Sequence, residues 1–158
     1  MKSVFSEQLS VSSWRKYVLV TLIFAAFTVG CGSIPSLEKP ECTEARDAVK
    51  RFYSFHFAND MSYSKENLEA RNQFLTDEFF NSISQQTKIP RDPFTLAGDG
   101  PKAFRVGECK VVSPEKTVFQ VLLLWKDDTR SEQKEIAVDM VKRGDKWLVD
   151  GVSPVKAK

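Results

Sequence analysis

Between Phe104 and Val152 apolar and polar residues alternate with a period of two, whereas between Ala45 and Phe80 apolar residues return every third or fourth position. The first pattern is that of strands and the second that of helices. Ala45, Ala48, Val49, Phe52, Phe55 and His56 mark one helical face. Thr43, followed by Glu44 and Asp47, predicts an N-cap with acids in the first turn. Toward its end this helix is aromatic on more than one side, at Phe52, Tyr53, Phe55 and Phe57, and such a helix needs a surface that wraps it. A second helix is expected over Lys65–Arg71. A third should follow the cap Thr76, with Asp77 and Glu78 in its first turn and Leu75 and Phe80 as a hydrophobic staple. Pro90, Pro93, Gly98, Gly100 and Pro101 make 87–103 a loop. Strands are expected at 104–112, 117–126, 133–142 and 146–152, with turns at Asp127-Asp128 and Gly144-Asp145. Helices first and a meander afterwards predict an α+β fold, with the helices packed on a curved, mostly antiparallel sheet of four or more strands.

The first thirty residues break this pattern. Lys2, Arg15 and Lys16 precede an uncharged run from Tyr17 to Val29, shorter than the roughly 20 helical residues that cross a bilayer. That order reads as a secretory signal peptide over 1–30. Thr28-Val29-Gly30-Cys31 resembles the lipobox of bacterial lipoproteins. The resemblance implies that Cys31 is lipidated and becomes the mature N-terminus, where two or more acyl chains anchor a protein stably. The expected address is the cell envelope, on the periplasm-facing side of the outer membrane before the inner membrane or the cell surface. Residues 31–41, with Pro35 and Pro40, read as the lipidated cysteine and its tether. One domain is expected over 42–153, followed by a short tail at 154–158.

Charge then narrows the partners. The chain holds 23 Lys+Arg and 21 Asp+Glu. Without Lys2, Arg15, Lys16 and Glu7, the remainder carries 20 of each sign. A balanced chain with no basic cluster has no electrostatic footprint for nucleic acid. With Cys31 acylated, Cys42 and Cys109 are an even pair in an oxidising compartment, and a disulfide between them is expected. Gly107 would allow a bulge that turns Cys109 toward the start of the first helix.

The later motifs resemble a family. The aromatic first helix, Phe74-Leu75-Thr76-Asp77-Glu78-Phe79, the loop Asp92-Pro93-Phe94 with Asp99, and the ending Gly144-Asp145-Lys146-Trp147-Leu148-Val149-Asp150 are similar to a bacterial lipoprotein family of unknown function. That family lies within the nuclear transport factor 2-like superfamily. The resemblance covers about 42–152 and implies a cone in which the sheet wraps the first helix. It implies no activity, because the superfamily hosts enzymes, binding modules and scaffolds.

Candidate chemistry is sparse. His56 is the single histidine, so a Ser-His-Asp triad or a histidine-rich metal site has at most this one member. On the same face as Val49, Phe52 and Tyr53, it is read first as a core residue, with ligand binding and general-base catalysis as alternatives. A two-residue hairpin at Gly144-Asp145 places Asp139 opposite Asp150. The pair is expected on the outer, solvated face, the alternative being a shared proton fit for acid–base work. The loop from Asp92 to Pro101 is read either as turns capped by Asp92 and Asp99 or as a rim that meets a partner around Phe94. Val118–Leu124 is apolar on both faces apart from Gln120, so a cover over its second face is expected. The chain is expected to be a non-enzymatic envelope lipoprotein that binds an envelope protein, a second copy of itself or a small apolar ligand, with no cofactor or metal. The pocket or partner candidates are His56, Tyr53, Asp92, Phe94 and Asp99. The rival expectations are a lyase- or isomerase-type pocket enzyme using His56 and a toxin-neutralising immunity lipoprotein.

Overall fold

Pro40 starts the first helix, because its fixed φ suits the first helical position and its missing N–H would have had no partner there. The computed structural model describes residues 37–86 and 89–155. The leader, Cys31 and the tether up to 36 lie outside the described residues, as do 156–158. Helix α1 runs Pro40–Ala58, with Lys39 at the N-cap. The expected cap Thr43 is therefore inside the first turn, where its hydroxyl turns back to the Lys39 carbonyl at 3.4 Å. Pro40 and Glu41 belong to the helix and not to the tether. At the other end, the Asn59 amide donates to the Phe55 carbonyl at 2.7 Å and satisfies one terminal acceptor.

Two short helices follow as their caps dictate. Helix α2, Lys65–Arg71, is capped by the Ser64 hydroxyl, which accepts from the Asn67 N–H. A single 3-10 turn, Asn72–Phe74, leads to helix α3, Asp77–Ser84. There the Thr76 hydroxyl accepts from the Phe79 N–H at 3.2 Å. Leu75 pairs as a parallel bridge with Val149, and the Thr76 N–H donates to the Val149 carbonyl, so the entry to α3 is stitched to the last strand.

The four strands are β1 (Ala103–Ser113), β2 (Lys116–Lys126), β3 (Ser131–Arg143) and β4 (Lys146–Pro154). They pair antiparallel in chain order, an open meander. Pro154, expected in the tail, pairs with Ile136 in the sheet. Gly144, with φ +59°, begins the β3–β4 turn, and only a residue without Cβ takes that conformation cheaply. All three helices lie on one face of the sheet. Phe119, Val121, Leu123 and Trp125 of β2, with Ile136, Val138, Met140 and Val149, pack into one core with Ala45, Val49, Phe52 and Tyr53 of α1. The architecture is the expected α+β layer of helices on a four-stranded antiparallel sheet.

The Sγ atoms of Cys42 and Cys109 are bonded, with Cα atoms 5.9 Å apart. Register shifts by one residue between Val106 and Cys109, the bulge that Gly107 permits. A Cβ on Gly107 would stand 3.1 Å from the Gln120 carbonyl oxygen, so the close approach of the two strands also favours glycine. Cys42 sits in the first turn of α1 and Cys109 in the middle of β1, so the bridge ties the helix layer to the sheet.

Candidate functional site

His56 belongs to the last turn of α1, and both of its ring nitrogens are engaged. Nδ1 accepts from Arg71 Nε at 2.7 Å, and Nε2 lies 2.8 Å from Asp92 Oδ2. An arginine Nε–H only donates, so Nδ1 carries the lone pair and the ring proton sits on Nε2, given to Asp92. The other Arg71 nitrogens donate to the carbonyls of Asn67 at 2.6 Å and Asp60 at 2.8 Å. Arg71 is 2% exposed and His56 1%, so a neutral imidazole couples a buried cation to a carboxylate. Burial pulls the Arg71 guanidinium below its usual range, while Asp92 and Asp60 act to hold it up. The cavity beside these groups is ≈ 10 Å³, about the least that holds one water.

Asp92 also builds the loop that follows it. Its Oδ1 accepts from the Phe94 N–H at 3.0 Å and its Oδ2 from the Thr95 hydroxyl at 2.6 Å. Its backbone N–H donates to Ala97 and its carbonyl accepts from Leu96. Tyr53 donates its hydroxyl to the Phe94 carbonyl at 2.9 Å, and burial, with Asp92 nearby, pushes that hydroxyl well above its ordinary pKa. The Phe94 ring lies edge-on to Phe52 and His56. Leu96 adopts φ +53°, a conformation that costs a branched L residue about 1–2 kcal/mol. The Lys134 ammonium donates to its carbonyl, and burial, with Arg91 adding, pulls that ammonium below its usual range.

The structure thus brings His56, Tyr53, Asp92 and Phe94 together, with His56, Tyr53 and Phe94 buried. Asp99 stands apart from them. Among the described residues its carboxylate caps no turn; it pairs with Arg130, which also bonds Glu132 and lies over the Trp125 ring. Arg71 escaped the sequence reading. A signal existed in its place three residues after Leu68 and four before Leu75, where a helix buries its apolar stripe; an arginine there must be paired. Between the Asp60–Tyr63 turn and the Ala97–Gly100 segment lies an open cleft of ≈ 370 Å³, whose margin carries Asp60, Tyr63, Arg91 and Asp99.

Asp139 and Asp150 do not face each other. Asp139 pairs with Gly151 and Met140 with Val149, so Asp150 is the extra residue of a bulge. Its carboxylate accepts from the Thr76 hydroxyl at 2.9 Å and has Lys116 at 3.7 Å. Turn geometry alone sets a register only until a bulge intervenes, and the anchoring of α3 on β4 is what this bulge accompanies. Glu38, Cys42 and Cys109 gather donor atoms within 4.8 Å, but the two sulfurs are bonded to each other and offer no thiolate. No helix among the described residues is long and apolar enough to cross a membrane.

No family model and no curated protein matches the sequence. Solved structures do share its fold. A chain of the type VI native effector–immunity complex Tae3–Tai3 from Ralstonia pickettii aligns at TM-score 0.55 and 13% identity, over 72% of this chain and 96% of that one. A protein of unknown function from Bacteroides thetaiotaomicron aligns at TM-score 0.53 and 23% identity, over 71% and 90%. An Ntf2-like protein involved in plasmid conjugation aligns at TM-score 0.45 and 16% identity, over 74% and 40%. At these identities the first two likenesses are of fold.

Proposed function

We propose that the chain is a non-catalytic protein-binding module, held in the bacterial envelope by a lipid on Cys31, that engages its partner through the rim formed by the Asp60–Tyr63 turn and the Arg91–Gly100 loop. The observation that carries this reading is the state of His56. A general base needs a free lone pair facing substrate, and the His56 lone pair is taken by Arg71 in a space no larger than one water. The same network makes the rim rigid from beneath, and a stiff loop on a fixed scaffold binds with little ordering cost. Tyr63, 36% exposed, and the exposed Arg91 are residue types enriched at binding hot spots. The effector–immunity complex holds a chain of the same fold, which is in keeping with an immunity-type role here.

The test is capture of a partner from detergent-solubilised envelopes. Tyr63→Ala combined with Arg91→Glu should weaken capture by about 30-fold or more, as loss of a hot spot does, with the thermal midpoint unchanged. Equal capture by the variant would remove the rim from the interface. If His56→Ala abolished a cellular phenotype while fold, level and partner persisted, the pocket-enzyme reading would replace this one. For the anchor, Cys31→Ala should leave the domain in the soluble fraction. A variant that still sediments with membranes would show that something other than a lipid on Cys31 holds it there.

A further inference from the structure

The Arg91–Gly100 loop has a second side. Between it and the β2–β3 turn end of the sheet lies a hollow of ≈ 350 Å³, lined from the sheet by Trp125, Arg130, Glu132 and Lys134 and from the loop by Arg91 and Asp99. Arg91 and the segment 97–99 line this hollow and the rim cleft alike, so the two are neighbours across one loop. Three cations and two carboxylates meet in the hollow, and they are not shared evenly. Arg130 takes both acids, Asp99 and Glu132. Arg91 makes no ion pair or side-chain hydrogen bond among the described residues, and Lys134 has only the Leu96 carbonyl. Lys134 is half-buried, in register with the fully buried Leu123, and a lysine drawn in from water normally has a partner of opposite charge. Here the neighbouring charge is Arg91, which adds to the burial that lowers the ammonium pKa. A third donor is also unmatched. Trp125 is 6% exposed, and its buried indole N–H has no hydrogen-bond partner among the described residues. Buried donors are nearly always satisfied, so what this place lacks is an acceptor with a negative charge.

We infer that the hollow receives a carboxylate, the side chain of an aspartate or glutamate on the protein that docks on the rim, and that Arg91 and Lys134 hold it. The inference rests on the rim reading for where the acid comes from, and on the hollow alone for its chemistry. Net charge selects a carboxylate over a phosphate. The lining sums to one positive charge, three cations against two acids, which one carboxylate neutralises. A phosphate group brings about −1.5 to −2 and would stand beside Asp99 and Glu132 as a like charge. The two free cations divide the work by depth. Arg91 is exposed, and its planar fork suits the two oxygens of an arriving carboxylate. Lys134 is half-buried, where an ion pair is screened less than at the surface. Its bond to the Leu96 carbonyl fixes the ammonium in advance, so little side-chain freedom is lost on binding. The volume fits one acidic side chain with the backbone on either side of it, since clefts for small ligands begin at about 300 Å³.

The probe is an acetylated, amidated Gly-Glu-Gly peptide, titrated at millimolar concentration and constant ionic strength into the full chain in non-ionic detergent. The readout is the indole N–H signal in a nitrogen–proton correlation spectrum that Trp125→Phe removes. This signal should shift and saturate with the Glu peptide and stay in place with its Gln counterpart. Arg91→Gln and Lys134→Gln should each weaken binding by about tenfold or more, as loss of a hydrogen bond to a charged group does. Arg91→Gln, at an exposed position, should keep the wild-type thermal midpoint; if Lys134→Gln melts early, Arg91→Gln decides alone. An unmoved signal overturns the inference. So does wild-type affinity in Arg91→Gln, or inorganic phosphate that binds more tightly than the Glu peptide. Failure of the rim gives a different result. Capture of an envelope partner that Tyr63→Ala weakens, without peptide binding, removes the hollow and keeps the rim. Peptide binding that depends on Arg91, with capture untouched by Tyr63→Ala and Arg91→Glu together, removes the rim and keeps the carboxylate site.

Discussion

Cys109→Ser is expected to destabilise the domain by about 4 kcal/mol, which is what closing a loop across 67 residues withholds from the unfolded chain. Against a total of roughly 5–15 kcal/mol for a domain of this size, that is a large share, a fall of roughly 15 °C in thermal midpoint. Cys42→Ser should cost about as much, because both variants open the same loop. The double variant should cost little more than either. Reductant should lower the wild-type midpoint to the level of the variants and leave theirs where they are. Two free thiols titrating in the native, non-reduced protein would contradict the bridge. So would serine variants that melt with the wild type.

Arg71→Ala should be nearly as damaging, by about 3–5 kcal/mol, the usual cost of removing one partner from a buried charge network. The substitution strands the His56 Nδ1, the Asn67 and Asp60 carbonyls and the charge on Asp92, all bonded to or compensated by the guanidinium. Arg71→Lys should recover only part of the loss. An ammonium donates from one point, and the three acceptors here are met by a fork that reaches α1, the Asp60 turn and α2 at once. Urea titration would read this as a lower midpoint at unchanged slope. A loss below about 1 kcal/mol, the size of an ordinary exposed substitution, would mean that the interior tolerates His56 and Asp92 without their cation.

Local chemistry in the sequence was enough to specify most elements. Period-two alternation located four strands, and Thr76, with acids behind it, located α3. Lys65–Arg71 proved helical over the expected residues. These features depend on neighbours within a few positions, so a linear pattern contains them. One local reading gave way to a stronger local term. Pro40 outcompeted Thr43 for the helix start, because a fixed φ acts before a capping hydroxyl is needed.

What only the tertiary structure decided are the meetings of distant residues. The sequence singled out His56, Tyr53, Asp92 and Phe94, but not that Arg71 would close the group. Which charge pairs with a buried ring depends on where α2 lies against α1, and that is set by core packing. Asp139 and Asp150 parted for the same reason: the register of β3 on β4 is not carried by the turn alone once the bulge at Asp150 accommodates Thr76. The two-sided apolarity of β2 was legible from the start, yet its meaning was not. Only the strand order decides what flanks it, Arg105 and Lys110 on the β1 side and Glu135 and Asp139 on the β3 side, because distant residues are aligned through hydrogen-bonded registers that no single strand encodes.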